Sequence, residues 1–197
     1  MCLLLGATYP DVFNAVVSFV PSGYVWGANK RDAGAVKEPA WTLNGDPVAF
    51  VPSKWDDDMN ADFQQKVESG EPIPLTPGFL TAIDAVEDLE PYTIPVERIG
   101  GAVLLISGAD DQMWPCADFS EQIMARLQAH NFPHPYKHLR YENTGHFIST
   151  PGITASVRHS RHPLIPANFA FGGETAAQAR ANADSWQQVL AFLQENL

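Results

Sequence analysis

Apolar and polar positions along the 197-residue chain fall into short blocks whose spacing predicts alternating strands and helices. Met1, Leu4 and Leu5 share a helical face with no Ser, Thr, Asp or Asn before them to cap it, so a helix is expected to be already under way at the first residue. Tyr9-Pro10-Asp11 stops it, and Ala15-Val16-Val17-Ser18-Phe19-Val20 is the nearly continuous apolar run of a buried parallel strand, ended by Pro21-Ser22-Gly23. Leu80, Ile83 and Val86 predict a short helix over 79–86, closed by Pro91 and Pro95. Ala102-Val103-Leu104-Leu105-Ile106-Ser107-Gly108 is the sharpest strand in the chain. After Pro115, which suits a first helical turn, Phe119, Ile123 and Leu127 recur at four-residue steps on one helical face. Residues 136–141 set Leu139 among Lys137, His138 and Arg140, the mark of an edge strand with a wetter face. Thr175-Ala176-Ala177-Gln178 has capping-box form, and Ala179, Ala183, Trp186, Leu190 and Leu193 carry a helical stripe to the end.

Strand and helix in alternation predict an α/β fold: parallel strands joined by crossover helices that cover both faces of the sheet. Between Tyr24 and Gly78 that regularity lapses. This stretch holds Pro39, Pro47, Pro52, Pro72, Pro74 and Pro77, the run Asp56-Asp57-Asp58, and Trp26, Trp41 and Trp55. A flexible linker does not carry three tryptophans, so 24–78 is expected to be a lid-like insertion packed on the domain.

Composition removes several function classes. A net charge of −11 opposes the counterion release that drives nucleic-acid binding. No apolar run reaches the 18 or so residues of a membrane span, and the apolar start has no basic region before it, unlike a signal peptide. Cys2 and Cys116 are too few for a disulfide framework or a metal site. His130, His134 and His138 are four apart, a metal-binding spacing on a helix, but Pro133 and Pro135 forbid that helix, so no metal is expected.

In parallel sheets, chemistry gathers on the loops that leave the carboxyl ends of strands. Two such loops stand out: Gly108-Ala109-Asp110-Asp111 after the buried strand, and Asn143-Thr144-Gly145-His146 after the edge strand. A carboxylate at Asp111 that holds one ring nitrogen of His146 and leaves the other for a nucleophile is two thirds of a catalytic triad. The pattern leaves a second reading open, in which Asp110 or Asp111 caps the following helix and His146 packs in a turn. Ser22, Ser69 and Ser107 are each followed by glycine, but no Gly-x-Ser-x-Gly elbow occurs, and Cys2 lies within the first helix.

These stretches, read together, resemble the acyl-CoA thioesterase and bile acid-CoA:amino acid N-acyltransferase family. Residues 1–27 are similar to the stretch just after that family's nucleophile elbow. Ile94 through Ile99 leading to Leu104 through Pro115 is similar to its acid loop, and Tyr141 through Ile148 to its histidine loop. Phe171-Gly172-Gly173-Glu174 and Ser185-Trp186 also fit. The resemblance implies the C-terminal portion of an α/β-hydrolase domain with Asp111 as triad acid and His146 as triad base, and a Ser or Cys nucleophile about five residues upstream of Met1. It implies an acyl-CoA thioester as substrate and no cofactor. Water would resolve the acyl-enzyme in a thioesterase, an amino acid in an N-acyltransferase; the chain by itself is expected to be inactive. A dienelactone-type hydrolase and a non-catalytic module are the alternatives. Arg158 and Arg161 become candidates for coenzyme A phosphates, against a plain reading as solvated surface charge, and the three tryptophans become candidates for lining an acyl pocket. Location is expected to be cytoplasmic by default, with organelle targeting left to sequence before Met1.

Overall fold

The computed structural model describes residues 1–28, 38–148 and 154–197; the part of the expected insertion at 29–37 lies outside them. The chain opens with helix α1 (Cys2–Thr8), strand β1 (Ala15–Phe19), the short strands β2 (Thr42–Leu43) and β3 (Asp46–Pro47), and helix α2 (Asp57–Ser69). Strand β4 (Pro72–Ile73), helix α3 (Thr76–Asp84), strand β5 (Ala102–Gly108), helix α4 (Cys116–Ala129) and strand β6 (Tyr136–Tyr141) come next. Strands β7 (His159–Arg161) and β8 (Asn168–Ala170) and helix α5 (Thr175–Asn196) complete it.

The main sheet has the order β1-β5-β6 with every pairing parallel, Ala15 against Ala102 and Val103 against Tyr136. All seven residues of β5 are buried, which explains its unbroken apolar run: it is the middle strand and is covered on both faces. Alternation divides its side chains between two cores. Val103 and Leu105 join Leu3 and Ala7 of α1 and Ile123 and Leu127 of α4, while Leu104 and Ile106 join Val189 and Phe192 of α5. The architecture is therefore α/β, as expected, with α1 and α4 on one face and α5 on the other.

β6 lies at an edge of the described sheet, and β1 lies at the opposite edge. Two further sheets depart from expectation. β2 and β3 form a hairpin through Asn44 and Gly45, both at positive φ. β8 pairs parallel with β4 and antiparallel with β7, which ties residues 72–73 to the segment before α5. The insertion also contains a regular element, α2. Asp56 caps it by accepting a hydrogen bond from the Met59 amide at 2.8 Å, and Gly70 ends it in the left-handed region. The acidic run is thus a helix start. No residue of α2 is fully buried, but Met59, Phe63 and Val67 recur at four-residue steps and are half-buried, an apolar stripe that the reading of 24–78 as irregular passed over.

Two helical faces differ from those expected. α3 buries Gly78 and Ala82 and leaves Leu80 41% exposed, because the side bearing Gly78, Phe79 and Ala82 faces a cavity. α5 buries Ala177, Ala181, Val189 and Phe192 together with polar Gln178, Asn182 and Ser185, and leaves Leu190 exposed. Its start is not a capping box. Glu174 is the cap residue without a side-chain bond to the helix; Thr175 Oγ1 instead accepts from Arg158, and Gln178 reaches the histidine loop.

Candidate active site

The site is assembled at the carboxyl ends of β5 and β6. Asp110 N–H donates to the Thr144 carbonyl at 2.9 Å and Ala109 N–H to the Tyr141 carbonyl at 2.9 Å, so the two loops run against each other as an extension of the sheet. Gly108 is required there. A Cβ on it would collide with the carbonyl oxygens of Thr144 and Gly145. The turn before α5 closes the knot: His146 N–H donates to the Phe171 carbonyl at 2.8 Å, Gly173 N–H to Asp110 Oδ2 at 2.7 Å, and Gly145 N–H to the buried Gln178 side chain at 3.1 Å.

This framework brings the two predicted residues together. His146 Nδ1 lies 2.9 Å from Asp111 Oδ2; the Asp111 side chain is 1% exposed and that of His146 19%. The second carboxylate oxygen, Oδ1, accepts from the amides of Met113 at 2.9 Å and Trp114 at 3.3 Å. The Asp111 carboxylate thus has a donor on each oxygen, which offsets the cost of its burial and fixes its plane. One carboxylate oxygen serves the turn and the other meets the imidazole, so the turn-capping contact and the Asp–His contact coexist. With Nδ1 engaged by the acid, Nε2 is the nitrogen left to face a reacting group.

Sequence reasoning missed Trp114. Its ring meets that of His146 edge-on, with centroids 5.5 Å apart at 78°, and its indole N–H donates to the Val20 carbonyl at 3.1 Å. Val20 directly follows β1 with φ at +42°, a left-handed conformation that costs a β-branched residue about 1–3 kcal/mol. It is held there from both sides, since its own N–H donates to Ile106 at 2.7 Å. A tryptophan three residues after the acid carried no periodic signal that would have singled it out.

Beside the dyad opens a cavity of about 540 Å³ whose wall includes Trp26, Trp41, Trp55, Phe79 and Trp114, with Leu4 of α1. The three tryptophans of the insertion therefore share one wall. Arg158 and Arg161 lie farther out, at β7. Arg158 Nη1 donates to Thr175 Oγ1 at 2.8 Å and its carbonyl accepts from Phe171, one hydrogen-bonded strand away from the His146 backbone, while Arg161 borders a separate open concavity with Ser69 and His159. Cys2 is partly exposed on α1. Cys116 is buried, and burial first, with the nearby Asp111 charge second, pushes its thiol far above the ordinary range. Among the described residues no group of three or more His, Cys, Asp or Glu side chains is placed to hold a metal ion, and no helix is long and apolar enough to cross a membrane.

Comparison with known proteins decides the family. Residues 57–197 match the family described as BAAT / acyl-CoA thioester hydrolase C terminal. The chain belongs to that family. Within the acyl-CoA thioester hydrolase group it is similar to a peroxisomal succinyl-coenzyme A thioesterase of Mus musculus, 35% identical over 115 residues, 58% of this chain and 27% of the relative. It is also similar to the mitochondrial acyl-coenzyme A thioesterase 2 of Mus musculus, 35% identical over 124 residues, 61% of this chain and 27% of the relative. The acyl-coenzyme A thioesterase 6 of Homo sapiens is 34% identical over 125 residues, 61% of this chain and 29% of the relative. The matches thus span little more than a quarter of these relatives' own length.

Proposed function

We propose that the chain is the C-terminal portion of an α/β-hydrolase catalytic domain that hydrolyses acyl-CoA thioesters, with Asp111 and His146 as the acid and base of a triad and 24–78 as its lid-like insertion. The observation that carries this reading is the 2.9 Å contact between His146 Nδ1 and a buried Asp111 carboxylate whose other oxygen is held by two amides. An imidazole fixed in this way presents Nε2 as a general base, in one tautomer and one orientation. Membership in the thioester hydrolase family supports thioesters as the substrate class.

In the proposed reaction a Ser or Cys upstream of Met1 attacks the thioester carbonyl while His146 Nε2 takes its proton. The tetrahedral intermediate expels the coenzyme A sulfur, which leaves as the thiol with the proton from His146. Water, deprotonated by the same nitrogen, then attacks the acyl-enzyme, releases the fatty acid and returns the nucleophile's proton. Arg158, linked through Phe171 to the histidine loop, and Arg161, farther out on β7, supply positive charge for the phosphates of coenzyme A, and no cofactor takes part.

Mass spectrometry tests the reading. The protein extended upstream of Met1 is mixed briefly with dodecanoyl-CoA and quenched in acid. An acyl adduct on an upstream Ser or Cys, released by water as free acid, is the expected result, with no turnover by the 197-residue chain alone. Turnover without such an adduct, or an adduct resolved only by an added amino acid, contradicts the thioesterase reading.

A further inference from the structure

The cavity wall and the imidazole share one residue, Trp114. On one side its ring belongs to an aromatic chain, Trp26 to Phe79 at 4.7 Å and Phe79 to Trp114 at 5.9 Å, that lines the cavity; on the other it meets His146. Two of the wall's indole N–H groups are used within the protein: Trp26 Nε1 donates to Ser22 Oγ at 2.8 Å and Trp114 Nε1 to the Val20 carbonyl. These two indoles consequently turn apolar surface toward the cavity. Among the described residues, its wall is built of apolar, Gly, Ser, Tyr and Trp residues and carries no carboxylate, lysine, guanidinium or imidazole side chain; the cationic group among them is the α-amino group of Met1, a residue 69% exposed. At about 540 Å³ the cavity lies within the roughly 300–1,000 Å³ range of small-molecule sites. A carboxylate at the end of a hydrocarbon chain seated against the aromatic wall, away from Met1, would meet no cationic side chain.

We infer that Trp114 is a positioning residue that couples filling of this cavity by an uncharged hydrocarbon chain to the pose of the His146 ring. The inference rests on the acyl-CoA reading and extends it. Trp114 is tethered by its N–H to Val20, a residue gripped in a costly conformation, so its ring has one preferred place. A chain packed against the cavity side of that ring closes its remaining freedom, and the edge contact passes the restraint to the imidazole. An acyl group too short to reach the wall leaves His146 held by Asp111 alone.

The test uses the 197-residue chain and three probes, dodecanoate, dodecanedioate and butanoate, with tryptophan fluorescence for binding and the His146 ring resonances in NMR spectra for coupling. Dodecanoate is expected to bind saturably and to shift and sharpen the His146 signals, with dodecanedioate about tenfold or more weaker and butanoate without effect. In Trp114→Leu dodecanoate still binds within about threefold but no longer moves His146; Trp114→Phe, which keeps a ring but loses the tether, restores part of the shift. Ala82→Phe fills the cavity and abolishes binding, and Ala40→Trp does so from another part of the wall if the first variant fails to fold. In the upstream-extended protein, Trp114→Leu should lower kcat for dodecanoyl-CoA by a clearly larger factor than that for butanoyl-CoA. Equal losses on both substrates, an unchanged His146 shift in Trp114→Leu, equal affinity for dodecanedioate, or no saturable binding by the folded chain each overturn the inference. Binding with coupling but no hydrolysis of any thioester would leave the inference standing and sink the thioesterase reading; hydrolysis of butanoyl-CoA alone would do the reverse.

Discussion

Gly173 N–H donates to Asp110 Oδ2 at 2.7 Å, which locks the turn before the last helix onto the loop that carries the acid. Next to it, Gly172 has φ +74°, and a Cβ there would drive into the Asp110 carbonyl. Gly172→Ala therefore combines a left-handed backbone with a backbone clash. It is expected to destabilise the fold by about 2–3 kcal/mol or more in urea unfolding, and to broaden the His146 signals even in the folded fraction.

Asp111→Asn keeps an acceptor for the Met113 and Trp114 amides but replaces the oxygen facing His146 Nδ1 with either a neutral acceptor or a donor. The orienting charge is lost with little change in packing. Turnover by the upstream-extended protein is expected to fall by about 10^3 to 10^4-fold, while the melting temperature moves only slightly. In NMR spectra of the chain, the downfield Nδ1 proton of His146 should disappear.

The strands at 15–20, 102–108 and 136–141 and the helix after Pro115 were legible because their burial is simple: a middle strand covered on both faces is apolar throughout, and α4 buries Phe119, Ile123 and Leu127 as spaced. Asp111 and His146 were legible because each directly follows such a strand. α5 was placed correctly, but its buried face was not, since Gln178, Asn182 and Ser185 lie inward where Gln178 supports the histidine loop. The β4-β8-β7 sheet was hidden because its strands are two or three residues long and because β4 pairs with β8 from the far side of the chain, Pro72 against Asn168. Trp114 was hidden for a different reason: its role depends on a tertiary contact with Val20 that no local spacing encodes.

Ser107 and His138 form a part-buried Ser–His contact at 2.7 Å, on the face of the sheet turned toward α4. Burial lowers the pKa of His138; Glu121 opposes the shift and Arg140 adds to it. Because the folded state binds this proton less readily than the unfolded chain, stability is full above the unfolded value near 6.5 and declines as pH falls below it. Urea midpoints should drop between about pH 7 and pH 5. In His138→Asn that part of the drop should be absent.

Arg126 clamps two carboxylates, with Nε donating to Glu97 at 2.6 Å and Nη1 and Nη2 to Glu90 at 2.7 and 2.8 Å. Hydrogen bonding to Arg126 lowers the pKa of both glutamates. Their contribution is present above the unfolded value near 4.5 and is lost as pH falls through the lower folded values. Glu97 is 15% exposed and Glu90 65%, so most of the effect belongs to Glu97. Arg126→Met leaves Glu97 without its partner and is expected to cost about 2–3 kcal/mol at about pH 7, and less at about pH 3.5, in urea unfolding.

His146, held by Asp111, is the group proposed to move the proton in acyl transfer from coenzyme A. The most direct test is the steady-state release of coenzyme A thiol from dodecanoyl-CoA by the upstream-extended protein, wild type against His146→Ala, with folding checked by circular dichroism. A fall in kcat of about 10^3-fold or more is expected, as for removal of a triad base. A folded His146→Ala protein that still releases the thiol within about tenfold of wild type would contradict that role.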